Sequence, residues 1–238
     1  PLMRRCKTPC VTTIHGRLDL PGLAPLYRRF SEQPVVSVSG SQRAPLPFAH
    51  WRATVHHGLP VGLYDFHAEP EDYFVFVGRL SPEKRVDRAI EIAVACGTPL
   101  RIAAKVDAGD RLYFESQVKP LLSHPLVEYL GEVGDREKND LIGNARALLF
   151  PIDWPEPFGL VMVEAMACGT PVVAYPCGAV PEVLEHGVSG FVVNDQEQAI
   201  AAAHRIDDID RRGCRSVFER RFTAETMANR YIDVYRGL

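Results

Sequence analysis

The sequence predicts an α/β fold: a Rossmann-like parallel sheet covered by helices, preceded by the tail of another Rossmann-like domain. Three observations carry this. From residue 73 onward, short apolar runs alternate with helical patterns of about ten residues, an order that calls for parallel strands joined by crossover helices. Before that, β-branched runs at 10–14 and 35–39 stand apart from the regular pattern, the first ending at His15-Gly16. With 46% hydrophobic residues in 238, the chain has ample material for a core, in one large domain or two small ones.

The elements follow in order. Cys10-Val11-Thr12-Thr13-Ile14 reads as a short buried strand, residues 23–30 as a helix, and Val35-Val36-Ser37-Val38-Ser39 as a second strand. Ala53-Thr54-Val55 then leads into His56-His57-Gly58. These pieces form a first unit, residues 1–68, with too few strands for a sheet of its own. A linker holding Asp65, His67, Glu69, Pro70 and Glu71 leads into a second unit, residues 69–238. Strands are expected at 73–77, 100–104, 127–130, 147–150, 172–175 and 191–193. Between them fall helices at 83–95, 111–122, 136–144, 160–168 and 181–185. The first carries Val86, Ala89, Ile90, Ala93 and Val94 at helical spacing. Two or three helices fill the rest from Gln196, and Thr223 reads as a helix start.

The chemistry concentrates in the stretch 151–190. Pro155 and Pro157 forbid helix around Glu156, placing that carboxylate on a loop. Glu164 falls little more than one turn into an otherwise apolar helix that begins near Gly159. A carboxylate so placed needs hydrogen-bond donors, from the protein or from a ligand's hydroxyls. The free N–H groups of Gly159, Leu160 and Val161 make an anion site between the two acids. Hydroxyls flanking a phosphate, the layout of a nucleotide-sugar, suit that arrangement; Glu164 serving only the helix dipole and Glu156 only the solvent is the other reading. Arg79, at the end of the 73–77 strand, and Lys84 beyond it read as cations for a diphosphate, or as solvated loop charges. His15, at a strand end, is either a partner for a sugar hydroxyl or a capped histidine. His56-His57 has no carboxylate at ligand spacing and is not read as a metal pair, and Glu182 reads as a first-turn helix acid.

A net charge of −3 argues against general nucleic-acid binding. The six cysteines form no C-x-x-C pair; Cys6 and Cys10 make at most half a metal site, and all six are expected to be reduced in a cytoplasmic protein. No apolar run approaches a membrane span, and the N-terminal segment is not a signal peptide; peripheral membrane contact stays open.

Taken together, GRLSPEKR, LGEV, ALLFP, EPFGLVMVEAMACGTPVVA and GAVPEVLEHGVSGFVV resemble the donor domain of family-four retaining glycosyltransferases with the GT-B fold, whose hallmark is the E-x7-E element seen at Glu156 and Glu164. The resemblance runs from about residue 73 to the end, and more loosely over the first seventy. It implies transfer of a hexose-type sugar from a nucleoside-diphosphate-sugar to an acceptor hydroxyl with retention of configuration, without a metal or other cofactor. By that resemblance Arg79 and Lys84 hold the diphosphate, and Glu156 contacts the transferred sugar. Glu164 binds the ribose hydroxyls, while Phe158, Gly159 and Leu160 meet phosphates and sugar through their backbone. Val133, beside Glu132, lies where the base packs, and His15 looks like the family histidine near the sugar. The family has two domains of similar size, so the chain is expected to be N-terminally truncated and to carry mainly the donor half, with turnover by the fragment alone not expected. An inactive nucleotide-sugar-binding fragment and a GT-B nucleotide-sugar epimerase are the alternatives; the acceptor (glycan, lipid or small molecule) is not read from these residues.

Overall fold

The computed structural model describes residues 7–238. Cys6, and with it the Cys6–Cys10 half-site, lies outside the described residues. Among the described residues, Cys96, Cys168, Cys177 and Cys214 are free thiols.

The first strands do make a sheet, contrary to expectation. β1 (Thr12–Ile14), β2 (Val35–Ser37) and β3 (Trp51–Thr54) pair in parallel in that order. Three strands persist because both faces are covered. Leu18, Val35, Leu46 and Ala49 bury one side against α1 (Leu23–Arg29). On the other, Val36 and Val55 pack with Val234, Met227 and Tyr231 of the C-terminal helix α9 (Ala224–Arg236).

The large sheet contains the six expected strands: β4 (Phe74–Arg79), β5 (Leu100–Lys105), β6 (Val127–Gly131), β7 (Ala147–Phe150), β8 (Val172–Ala174) and β9 (Gly190–Val192). All pair in parallel in the order β6-β5-β4-β7-β8-β9. Helices α2 (Val86–Cys96) and α7 (Gln196–His204) bury one face. Helices α4 (Asp135–Gly143), α5 (Leu160–Cys168) and α8 (Arg211–Arg221) bury the other. The short helices α3 (Arg111–Tyr113) and α6 (Val180–Val183) complete the set.

Two expected helices are broken. The 83–95 helix divides at Arg85, whose φ of 53° separates a 3₁₀ turn, Pro82–Lys84, from α2. Asp87 and Asp153 hold the Arg85 guanidinium at 2.7 and 2.9 Å across this break. The 111–122 helix becomes α3, a π turn over Phe114–Val118 and a 3₁₀ turn over Leu121–Ser123. Pro120 has no N–H and its ring crowds the carbonyl four residues back. The Lys119 N–H accordingly donates one residue further back, to Phe114 O at 2.8 Å.

Candidate functional site

β4 pairs with β5 on one side and β7 on the other, so the strand order reverses between β4 and β7. Ligands of open parallel sheets bind beyond the carboxyl ends of strands at such a reversal. There the loop after β4 carries Arg79 and Lys84, and the loop after β7 carries Trp154 and Glu156. Lys84 Nζ donates to Glu156 Oε2, and Trp154 Nε1 donates to the same oxygen at 3.1 Å. Lys84 also lies 4.9 Å from the Trp154 ring centre and 5.5 Å from that of Phe150. Glu156 is only 9% exposed, so its carboxylate depends on these donors for hydrogen bonds. The Glu156 backbone is fixed as well: its carbonyl accepts from Ala179 N at 2.9 Å, and Gly178, at φ 61°, lies directly against it.

Gly159 ends the loop at φ 80° and opens α5, with no side-chain cap and no acid in the first turn. The start of α5 therefore keeps N–H groups and a positive dipole end for an anion. Six of its nine residues are buried, including Met162, Val163 and Met166. Glu164 breaks that apolar surface with a side chain 14% exposed. The protein itself supplies a donor: Lys138 Nζ, from α4, reaches Glu164 Oε1 at 3.0 Å. The Lys138 Nζ also lies 5.7 Å from the Tyr64 ring centre, and burial raises the Tyr64 phenol well above the ordinary value. Burial alone would depress the Lys138 ammonium, but the Tyr64 hydroxyl and Glu164 outweigh it and raise it instead.

His15 enters from the small sheet. Its ring stacks on His57 at 5.1 Å, and Nδ1 lies 3.4 Å from His57 Nε2. His57 in turn meets the Phe158 ring edge-on at 4.9 Å. A line of rings thus joins His15 to the turn between the two acidic residues. Burial, then the neighbouring His15 and His56, pushes His57 below the ordinary histidine value. His56 faces Phe158 and Phe222 and lies 3.7 Å from Glu182. Glu182 also accepts from Gly40 N at 2.7 Å and Ser41 N at 2.6 Å, joining α6 to the loop after β2. Its role as a helix-start acid is thus the lesser part.

Arg79 is about half exposed and pairs with Glu83 at 3.2 Å and Asp107 at 3.4 Å. Val133 packs against the core under α4 and α5 and lines an open cleft of about 510 Å³ with Glu132, Leu130 and α4. Leu160 is 41% exposed at the first turn of α5. No three His, Cys, Asp or Glu side chains among the described residues are grouped as a metal site. No helix among them is long and apolar enough to cross a membrane. Sequence reading missed Lys138, Tyr64, Trp154 and His57. Trp154 stood inside the key stretch, and His57 was weighed only as a metal ligand.

Residues 65–213 match the family described as Glycosyl transferases group 1. An uncharacterized 41.2 kDa protein in the cps region of Klebsiella pneumoniae is 29% identical over 172 residues, 68% of this chain and 46% of its own. A D-inositol 3-phosphate glycosyltransferase of Mycobacterium sp. (strain KMS) is 32% identical over 146 residues, 60% of this chain and 33% of its own. The chain spans less than half the length of these curated relatives. Among solved structures, a glycosyltransferase involved in avilamycin A biosynthesis superposes with a TM-score of 0.72 at 29% identity, covering 85% of this chain and 63% of its own. Anabaena HepE in complex with UDP and glucose superposes with a TM-score of 0.83 at 22% identity, covering 97% and 72%. The architecture is that of GT-B glycosyltransferases, with a Rossmann-like parallel sheet.

Proposed function

Because the chain belongs to the Glycosyl transferases group 1 family, we propose that it carries the donor-binding half of a retaining hexosyltransferase that uses a nucleoside-diphosphate-sugar. The observation that carries this reading is the pair of nearly buried carboxylates, each held by one lysine, on either side of the uncapped start of α5. In this reading the diphosphate lies on the α5 N-terminus and takes Lys84 and Arg79 as counter-ions. Both are at present matched by carboxylates, which hold the cations in place at the site. Glu156 orients the sugar, Glu164 takes the ribose hydroxyls, and the cleft beside Val133 receives the base.

The sugar C1–oxygen bond to the diphosphate breaks, and the acceptor oxygen bonds to C1 from the same face. The acceptor proton passes to the departing phosphate oxygen. Charge on that leaving group is the main quantity to be stabilised, and two cations with a helix N-terminus do so without a metal. His15, oriented by His57, faces the sugar side. The free thiols of Cys96, Cys168, Cys177 and Cys214 are those of a reducing, cytoplasmic location.

Calorimetric titration of the chain with UDP, GDP and ADP tests this. One diphosphate is expected to bind, and Glu164→Ala to weaken it by about 1–3 kcal/mol through loss of a charged hydrogen bond. A folded chain that binds none of the three overturns the reading.

A further inference from the structure

We propose that Lys138 is a positioning residue that aims Glu164 at a pair of adjacent hydroxyls, and so sets the preference for ribonucleotides over deoxyribonucleotides. This rests on the donor-site reading above and names a determinant within it. Three separate segments converge here: Tyr64 before β4, Lys138 on α4 and Glu164 on α5. Tyr64 is 5% exposed, and the Glu164 and Lys138 side chains are 14% and 20% exposed. Little solvent reaches the pair, so Lys138 is the partner that satisfies a carboxylate set in an apolar helix face.

Its geometry does more than balance charge. An ionised carboxylate has acceptor positions on both oxygens, and Lys138 occupies only part of that capacity, at Oε1. Fixing one oxygen stops rotation about the last side-chain torsion, which is otherwise broad and cheap to turn. A fixed carboxylate can receive two hydroxyls from neighbouring ring carbons at once; a rotating one gains little from the second. The preference for a vicinal diol is therefore a property of the lysine–glutamate pair.

The test titrates whichever of UDP, GDP and ADP binds most tightly, and its 2′-deoxy counterpart, into the wild type, Lys138→Met, Lys138→Gln and Lys138→Arg. Circular dichroism establishes that each is folded. The wild type is expected to favour the ribonucleotide by about tenfold, the value of one good hydrogen bond. In Lys138→Met and Lys138→Gln that ratio falls towards one, chiefly because the ribonucleotide binds less well. Lys138→Arg, which keeps a cation, recovers part of it. A folded Lys138→Met or Lys138→Gln that keeps the wild-type ratio overturns the proposal and leaves the donor site standing. So does a wild type that binds both sugars equally. No nucleotide binding by the folded wild type overturns the donor-site reading and this proposal with it.

Discussion

Glu156 is held from behind by Gly178, and Gly178→Ala measures how much that support matters. The Gly178 φ of 61° is left-handed, and there an L side chain costs roughly 1–2 kcal/mol. An added Cβ would also lie 2.3 Å from both the Glu156 N and O and 2.7 Å from Pro155 C. That is roughly 1 Å inside van der Waals separation. The atoms it meets are backbone and cannot swing aside, so the 155–156 loop must retreat; overpacking of this kind costs about 1–3 kcal/mol. Together the two costs come to about 2–5 kcal/mol. Gly187→Ala is the control: its φ is 78°, but nothing lies within 4 Å of its Cβ, so it carries the conformational cost alone. Urea denaturation followed by far-ultraviolet circular dichroism should place Gly178→Ala below Gly187→Ala by about 1–3 kcal/mol. Tryptophan fluorescence should change only in Gly178→Ala, because Trp154 shares Glu156 with Lys84. Equal stability of the two variants would refute the claim that Gly178 is needed for close approach.

Two further outcomes concern stability. Arg85 holds a left-handed conformation, so Arg85→Gly should be more stable than Arg85→Ala by about 0.5–1 kcal/mol, although both lose the ion pairs to Asp87 and Asp153. Coincident urea midpoints would remove the case for strain there. His57 is depressed in the fold, so it stays neutral while the unfolded chain takes up a proton. Its contribution is whole above the unfolded histidine value of about 6.5 and shrinks as pH falls from there towards the lower folded value. Stability measured between about pH 7.5 and 5 should therefore fall less steeply in His57→Gln than in the wild type. Parallel curves would show that burial of His57 beside His15 and His56 does not disfavour the charged ring.

What was legible in the sequence was whatever depends on neighbours along the chain. The strands of the large sheet are unbroken apolar runs such as Ala147–Phe150, and the Glu156–Glu164 spacing is local. The small sheet was illegible because its cover over Val36 and Val55 comes from Val234 at the far end of the chain. Lys138 sits among Arg136, Glu137 and Asp140, and nothing in that charged run marks which side chain turns towards α5. The break at Arg85 was hidden because arginine does not ordinarily take a left-handed conformation. Gly178 stood in plain view, but its closeness to Glu156 exists only once α6 is folded against the loop.

The outward and return crossings between the two sheets lie side by side. Leu59 donates to Phe222 O at 2.9 Å and accepts from Ala224 N at 2.8 Å, and Gly58 is so close that a Cβ there would fall 2.2 Å from Thr223 O. These crossings make one tie between the sheets, and the bonds from Gly40 N and Ser41 N to Glu182 make a second. The line of rings from His15 to Phe158 spans the same seam. The Lys84–Glu156 and Lys138–Glu164 pairs do not cross it, because both members of each lie on the large-sheet side. The ring line and the two lysine–carboxylate pairs thus rest on separate supports.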